Sequence, residues 1–353
     1  MLFICSCDCL NTGGFMKVKI MKNNKLWMED NAIRQLESIA DFKGVESIVG
    51  LPDLHMGKQP VGCTICTQQF IYPFLIGNDI GCGITLYETQ EKTRKIKVER
   101  LVKKLENTGI YGKYSIGGGN HFIELTAIDK VYNQDLANQL GIDTKKAYLL
   151  IHSGSRAMGE SIYREYASLE GLEEGSERFN SYIEEHDKAV AYARDNRNHL
   201  ADIFTQMANI KSDNRIVIDC IHNYLEMADG KYYHRKGSIS SLGHTYAIIA
   251  GTRGSSSYIV KTIPRNDELY SVSHGCGRKI MRSECKGKLQ SKYKRDELKR
   301  TPLGSYVISK DKALLYEEAM EAYKRIDDVI ETLLQYKCIE IIATLKPMVT
   351  YKC

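Results

Sequence analysis

The chain has 353 residues, 43% hydrophobic and 26% charged, a balance that excludes a disordered chain and suits a folded globular protein. No uninterrupted apolar run reaches the roughly eighteen residues of a membrane-spanning helix, and the opening MLFICSCDCL lacks the basic flank and cleavage site of a secretory signal, so a soluble, cytoplasmic protein with no membrane partner is expected. The net charge is a modest +5, and eleven irregularly spaced cysteines in a chain this long argue against a disulfide framework and for free thiols.

In chain order, Met16 opens MKVKIMKNNKLWMEDNAI like a natural start, which makes residues 1–15 a poorly ordered extension and 16–353 the folded domain. Cys5, Cys7 and Cys9 share one face if extended, so a metal or labile thiol cluster is the alternative for that segment. Asp30 is placed to cap a helix whose Ile33, Leu36 and Ala40 share a face. VGCTICTQ reads as a strand, in which Cys63 and Cys66, three apart, face opposite sides and pack rather than bind metal. Leu200, Ile203, Phe204 and Met207 keep helical spacing and follow IEEHDKAVAYARDN, and a further helix is expected over 311–335. The short apolar runs AYLLI, RIVIDCI, TYAIIA and IEIIATL read as buried strands. Without an internal repeat or a low-complexity linker, the expectation is a single α+β domain with buried sheets flanked by helices.

Each of the first three buried strands runs into reactive or glycine-rich residues: HSGSR after AYLLI, HNYLEM after RIVIDCI, GTRGSSS after TYAIIA. Strand ends are where sites are assembled. His152 and His222 leave the chain at equivalent places, His121 follows three glycines and His274 precedes two more. A lone loop histidine is more often a hydrogen-bonding residue than a ligand. Four in such junctions, with Asp79 and Cys82 of NDIGCGI, suggest a metal site as well as a turn. GGGN and GTRGSSS are candidate phosphate cradles, since glycine lets backbone N–H groups approach anions, yet neither is a dinucleotide fingerprint or a P-loop. Between Arg278 and Arg300 ten Lys or Arg stand against three acids, which suits either a phosphate-binding surface or a solvated helix face.

Taken in order, LPDLHMG, NDIGCGI, GGGNHFIEL, IHSGSR, HN, GSSSY, SHGCGR and LKPMVTYK resemble the motifs of RtcB-type RNA ligases, GTP-dependent enzymes of tRNA splicing and RNA repair, from about Lys17 to Lys352. The resemblance implies a shortened, divergent RtcB-like ligase that joins RNA 2′,3′-cyclic phosphate or 3′-phosphate ends to 5′-hydroxyl ends. It implies two manganese ions, one at Asp79, Cys82 and His121 and the other at Cys82, His152 and His222, with Cys82 bridging. It implies His274 as the nucleophile that takes GMP from GTP as a histidine-guanylate. Nucleotide contacts carry over to Asn120, His121, Phe122, Ile123 and Glu124, to His222 and Asn223, to Ala250, Gly251, Thr252 and Arg253, to Ser257, to His274, Gly275, Cys276, Gly277 and Arg278, and to Lys352. Arg156 matches an arginine that meets RNA phosphate, and some such members occur beside a release-factor homologue, a possible helper.

The chain departs from the family pattern at three places. AGTR stands for the usual PGSM, so Arg253 changes the pocket's shape or adds a phosphate contact; HGCGR brings Cys276 beside the nucleophile as a small packing residue; Thr85 replaces a common arginine, with RNA binding the expected consequence. From the metal donors alone, a dinuclear phosphoesterase is the rival reading. A non-catalytic RNA-binding or damage-sensing protein is the other.

Overall fold

Two β-sheets share one core in the computed structural model, which describes residues 17–110 and 112–352. The expectations for residues 1–15 and for Cys5, Cys7 and Cys9 lie outside the described residues. The larger sheet runs in the order Tyr246–Ile249, Ser257–Thr262, Ile339–Lys352, Phe122–Val131, Lys146–Ser153, Gly83–Lys92, Arg215–Ile221, all neighbours antiparallel. Tyr306–Ser309 adds a parallel partner to the end of Ile339–Lys352. The first and last strands of the order approach each other, giving the sheet a barrel-like curl. The second sheet runs Val18–Ile20, Val45–His55, Val61–Thr67, Lys231–Lys236, Asn223–Ala228. The content is mixed α+β, as expected, and among the described residues no helix is long and apolar enough to cross a membrane.

Alternation along the strands sorts the core. Ile84, Leu86 and Leu150 face a cluster shared with Val49, Leu51, Cys66 and Tyr233 of the second sheet, while Tyr87, Leu149 and Ile151 face the helices Val98–Glu106 and Glu177–Ala208. Cys63 and Cys66 do face opposite ways, Cys63 into the cluster under the helix Asp30–Glu37 and Cys66 into the shared core. All four apolar runs are strands, and the last continues to Lys352.

Two helical expectations are corrected and a third is borne out and extended. Asp30 is the first residue of its helix rather than the cap; Glu29 precedes it without a capping side chain, and Ala40 lies beyond the helix end at Glu37. The expected 311–335 helix is broken into Lys312–Glu317, a short turn Met320–Ala322 and Ile326–Gln335, because the intervening residues are pulled into pairing: Lys279 N and Ile280 N both donate to Ala322 O, and Lys324 N to Gly277 O. The segment around Leu200 is the end of one 32-residue helix, Glu177–Ala208, capped by Ser176 Oγ on Phe179 N and stopped by Asn209 in the left-handed conformation.

That long helix fixes the site through Asn196 and Arg197. Arg197 is fully buried; its guanidinium donates to Gly81 O (3.0 Å), Ser153 O (3.1 Å), Thr85 Oγ1 (2.8 Å) and Asp219 Oδ1 (3.0 Å). It thereby ties the NDIGCGI turn to the end of Lys146–Ser153. Thr85 faces this interior network and also donates to Asp219 Oδ1 (2.6 Å), so the expectation that it changes RNA binding is corrected: alternation turns it towards the helix, away from the ligand layer. Removing the guanidinium leaves two buried carbonyls without their donor and takes one of two arginine partners from Asp219, which keeps Arg194 (3.0 Å), so Arg197→Met is expected to lower stability by about 2 kcal/mol or more, measured as a drop in the urea unfolding midpoint.

Candidate active site

The site stands where strands of both sheets end together. His152 is the penultimate residue of Lys146–Ser153, and His222 is the single residue between Arg215–Ile221 of one sheet and Asn223–Ala228 of the other. Its backbone is held on both sides, His222 N donating to Cys82 O (2.9 Å) and His222 O accepting from Ser238 N (3.0 Å). NDIGCGI is a tight turn in which Cys82 N donates to Asp79 O (3.2 Å) and Gly81 N to Asn223 O (2.7 Å). Close approach is what the glycine of HSGSR allows, since a Cβ on Gly154 would stand 2.4 Å from Asp79 Oδ1.

These junctions bring two sets of donor atoms together, Asp79, Cys82 and His121 in one and Cys82, His152 and His222 in the other, each within 4.8 Å. Cys82 Sγ lies 3.3 Å from His121 Nε2 and 3.2 Å from His152 Nε2; His152 Nε2 is 3.2 Å from His222 Nε2, and His121 Nε2 is 2.9 Å from Asp79 Oδ2. His152 Nδ1 faces Asn120 O at 3.3 Å, the second contact that orients a ligand imidazole and leaves Nε2 its lone pair. Burial pushes His152 and His222 well below the usual histidine range, so both rings are neutral; burial and the Asp79 charge push the Cys82 thiol well up. Two neutral ring nitrogens and a sulfur crowded at one point satisfy one another poorly, and a divalent cation resolves the crowding by drawing the proton off sulfur. The donor sets therefore fit metal.

Next to them His274 projects from the loop after Ser271–Ser273, its ring 4.7 Å from that of His222. Its Nδ1 sits between Asp53 Oδ2 (2.6 Å) and Gly237 O (2.9 Å). Both are acceptors, so Nδ1 carries the proton and Nε2 the lone pair. Asp53 is fully buried; burial pushes its carboxyl up, but the hydrogen bond from His274 and the other polar groups around it outweigh this and hold it below the usual range. A Cβ on Gly277 would stand 2.2 Å from Asp53 O, which explains glycine in HGCGR, where φ is +66°. Lys324 Nζ donates to Pro52 O (2.9 Å) and Leu54 O (2.7 Å), fixing the strand on either side of Asp53.

A cavity of about 1350 Å³ opens over these groups. Of the expected nucleotide contacts, Asn120, His121, Phe122, Glu124, His222, Asn223, Ala250 to Arg253, His274 to Arg278 and Lys352 line it, as does Arg156. Two do not. Ile123 packs into the helix-covered core because its neighbours Phe122 and Glu124 take the cavity face, and Ser257 Oγ supports the wall by accepting from Gly251 N (3.0 Å). Arg253 is buried and donates through Nη2 to Leu315 O (2.6 Å), and burial lowers its guanidinium to about 10. Cys276 is buried with its thiol on Ala250 O (3.4 Å) and pushed up by burial, a packing residue. Lys352 Nζ donates to Gly119 O (2.8 Å) and His121 O (3.0 Å), joining the last strand to the GGGN loop.

The basic run divides. Arg278 binds Glu318 (3.1 Å) and Arg282 approaches it (3.7 Å) at the cavity wall, while Lys288, Lys292 and Lys299 pair with Glu284, Glu321 and Asp296 on the surface. Sequence reasoning missed Asp53, Glu318, Lys236 and Tyr323, all but Asp53 lining the cavity. Asp53 was signalled by LPDLHMG; Lys236 ends the strand Lys231–Lys236 just before a glycine; nothing local marks Glu318 or Tyr323, which enter through the broken C-terminal helix.

The family model described as "tRNA-splicing ligase RtcB" matches residues 35–115 and 113–353. The chain is 38% identical over 359 residues to "RNA-splicing ligase RtcB2" of Escherichia coli, covering 94% of each. It is 29% identical over 442 residues to "tRNA-splicing ligase RtcB" of Archaeoglobus fulgidus, covering 91% of each, and 26% identical over 416 residues to "RNA-splicing ligase RtcB" of Escherichia coli K12, covering 93% of this chain and 97% of that protein.

Two outcomes are expected. Glu124 is buried, and burial raises its carboxyl from 4.5 to about 7 despite the bond from Thr350 Oγ1. The folded state holds a proton that the unfolded state has lost between these values, so this group's contribution to stability falls as pH rises from 4.5 to about 7. Glu124→Gln is expected to remove that dependence, gaining up to roughly 3 kcal/mol over wild type at pH 8 and much less at pH 5 in thermal melts. Cys82 serves both donor sets, so Cys82→Ala is expected to bind less divalent metal per chain than the wild type in equilibrium dialysis.

Proposed function

The chain belongs to the RtcB family of tRNA-splicing ligases, and from that premise we propose that it joins an RNA 2′,3′-cyclic phosphate or 3′-phosphate end to a 5′-hydroxyl end, with GTP as the activating nucleotide and GMP carried on His274. The observation that carries the reading is the His274–Asp53 pair: a buried carboxylate 2.6 Å from Nδ1 fixes the tautomer, and Nε2, with no protein hydrogen bond among the described residues, is left with its lone pair at the cavity. That is the arrangement of a nitrogen nucleophile supported by a carboxylate.

Nε2 attacks the α-phosphorus of GTP, and the bond to pyrophosphate breaks. The positive charge then gained by the imidazole faces Asp53, whose ionised form matches it. An oxygen of the RNA 3′-phosphate next attacks the same phosphorus and returns the electron pair to Nε2; the 5′-hydroxyl finally displaces GMP, leaving a 3′,5′-phosphodiester. When a 2′,3′-cyclic phosphate is the starting end, its hydrolysis to the 3′-phosphate precedes this. Metals held by Asp79, Cys82 and His121 and by Cys82, His152 and His222 would neutralise charge on the phosphates and orient the leaving group. Cys and His donors by themselves favour zinc or iron, so manganese rests on the family resemblance. Lys236, buried beside the donor sets and without a salt-bridge partner among the described residues, supplies positive charge where phosphate enters, as do Arg156 and Arg282 at the wall. Glu124 and Lys352 line the same cavity and serve as nucleotide contacts in this reading.

A quiet RNA-binding protein has no use for an imidazole fixed by a buried carboxylate and left outside both donor sets, and a dinuclear phosphoesterase would use it as a general acid or base without ever carrying GMP on it. With manganese and GTP the protein is expected to acquire one acid-labile GMP, absent in His274→Ala and formed about a hundredfold more slowly or worse in Asp53→Asn, by analogy with other carboxylate-supported imidazoles. The absence of any adduct with His274 intact, across several nucleotides and divalent metals, overturns the reading.

A further inference from the structure

The outer face of the long helix carries a cluster that ligation chemistry at the cavity does not use. Tyr192 and His199, seven residues apart on Glu177–Ala208, lie on one helical face, and Tyr114, from the segment leading into GGGN, lies against both. The Tyr114 and His199 rings stack at 3.8 Å with 11° between planes; Tyr114 and Tyr192 lie at 6.2 Å and 20°. Lys113 Nζ stands 5.5 and 5.7 Å from the centroids of the two tyrosines and has no carboxylate partner among the described residues. Tyr192 OH donates to Lys113 O (3.2 Å). His199 and Lys113 are exposed and both tyrosines half-buried, so the rings are aligned without being taken into the core. Near-parallel aromatic faces open to solvent beside a free ammonium are the chemistry that holds bases of single-stranded nucleic acid.

The cluster is continuous with the cavity. Asn196, on the same helix between Tyr192 and His199, accepts from Ser115 N (3.1 Å) and donates to Ser115 O (3.0 Å), Ser153 Oγ (2.9 Å) and Gly154 O (3.2 Å). The residue after Tyr114 is thus pinned to the strand end that carries HSGSR. Two residues further on, the Arg156 guanidinium lies over Gly117, so close that a Cβ there would stand 2.2 Å from Cζ, and its Nη1 is 3.1 Å from His121 Nδ1. Aromatic ladder, Arg156 and donor sets form one track. Asp195 is exposed on the same helical face and repels phosphate, so the ladder suits a base ring rather than the backbone, with Lys113 taking the adjacent phosphate.

We propose that Tyr192, Tyr114 and His199 form a stacking platform for an unpaired base of the RNA substrate, on the strand that leads away from the reacting end past Arg156. Tyr114 and His199 are already in contact, so the base adds to an outer face of the ladder rather than entering it. This rests on the RNA-ligase reading. The test is fluorescence anisotropy with a labelled single-stranded RNA ending in 3′-phosphate, alongside GMP-adduct formation and the KM for RNA in joining. Tyr114→Ala and His199→Ala are expected to weaken RNA affinity and raise that KM by roughly tenfold, the scale of one lost base–aromatic stack, with adduct formation unchanged. Tyr114→Phe and Tyr192→Phe, which keep the rings, are expected to behave as wild type, and an abasic substitution at the stacked position to abolish the difference. Unchanged affinity and KM in the alanine variants overturns the platform; so does a parallel fall in adduct formation, which makes the ladder a prop for the loop carrying His121. If the wild type forms no adduct, the ligase reading fails and anisotropy still decides the platform.

Discussion

The buried guanidinium of Arg197 is the constraint on which the site depends. Two carbonyls, one from the NDIGCGI turn and one from the end of a central strand, converge on a single charged group that is paired with Asp219. Each alone would leave a buried polar atom unpaired, at a cost of about 1–3 kcal/mol. Together they hold Cys82 and His152 in register before any cation arrives. Asn196, the preceding residue, does the same for Ser115 and Gly154, so one turn of one helix sets the spacing of the turn, the strand end and the GGGN loop.

Around that anchor the ligand layer is assembled from chain ends of regular structure rather than from a flexible loop. His222 spans two sheets with no residue to spare on either side, which leaves its ring little freedom. Asp53 lies two residues before the end of the strand Val45–His55 of the second sheet and reaches the loop of His274 across 221 residues of sequence. The His274–Asp53 pair and the two donor sets are rigid relative to one another because the two larger sheets, which supply Asp53 and most of the donors, share one apolar core.

Burial sets the protonation states that this chemistry requires. It keeps the imidazoles of His152 and His222 neutral, whereas Asp53 and Asp79 stay ionised through their partners; the Cys82 thiol, which burial keeps protonated, is the one donor that must lose a proton to a cation. In both cases burial opposes ionisation, and the carboxylates keep their charge because His274 faces Asp53, and His121 with Arg156 faces Asp79. The cavity thus holds anions where cations are to bind and neutral nitrogens where lone pairs are needed.

The sequence by itself determined the strands, because continuous apolar runs state burial on both faces, and it singled out the glycine-flanked histidines after such runs, which the fold brings together at one cavity with Asp79 and Cys82. It placed Cys63 and Cys66 correctly on opposite faces by period alone. It misplaced the start of the Asp30 helix and ran one helix through 311–335, since capping and interruption depend on which backbone groups find partners elsewhere, here Ala322 O and Gly277 O. Only the tertiary structure decided that Asp53 fixes His274, that Thr85 turns inward to Arg197, that Ile123 lies behind the wall it was expected to line, and that Glu318 joins Arg278. Those contacts span from tens to hundreds of residues, and no local propensity records a partner that the chain meets only after it has folded.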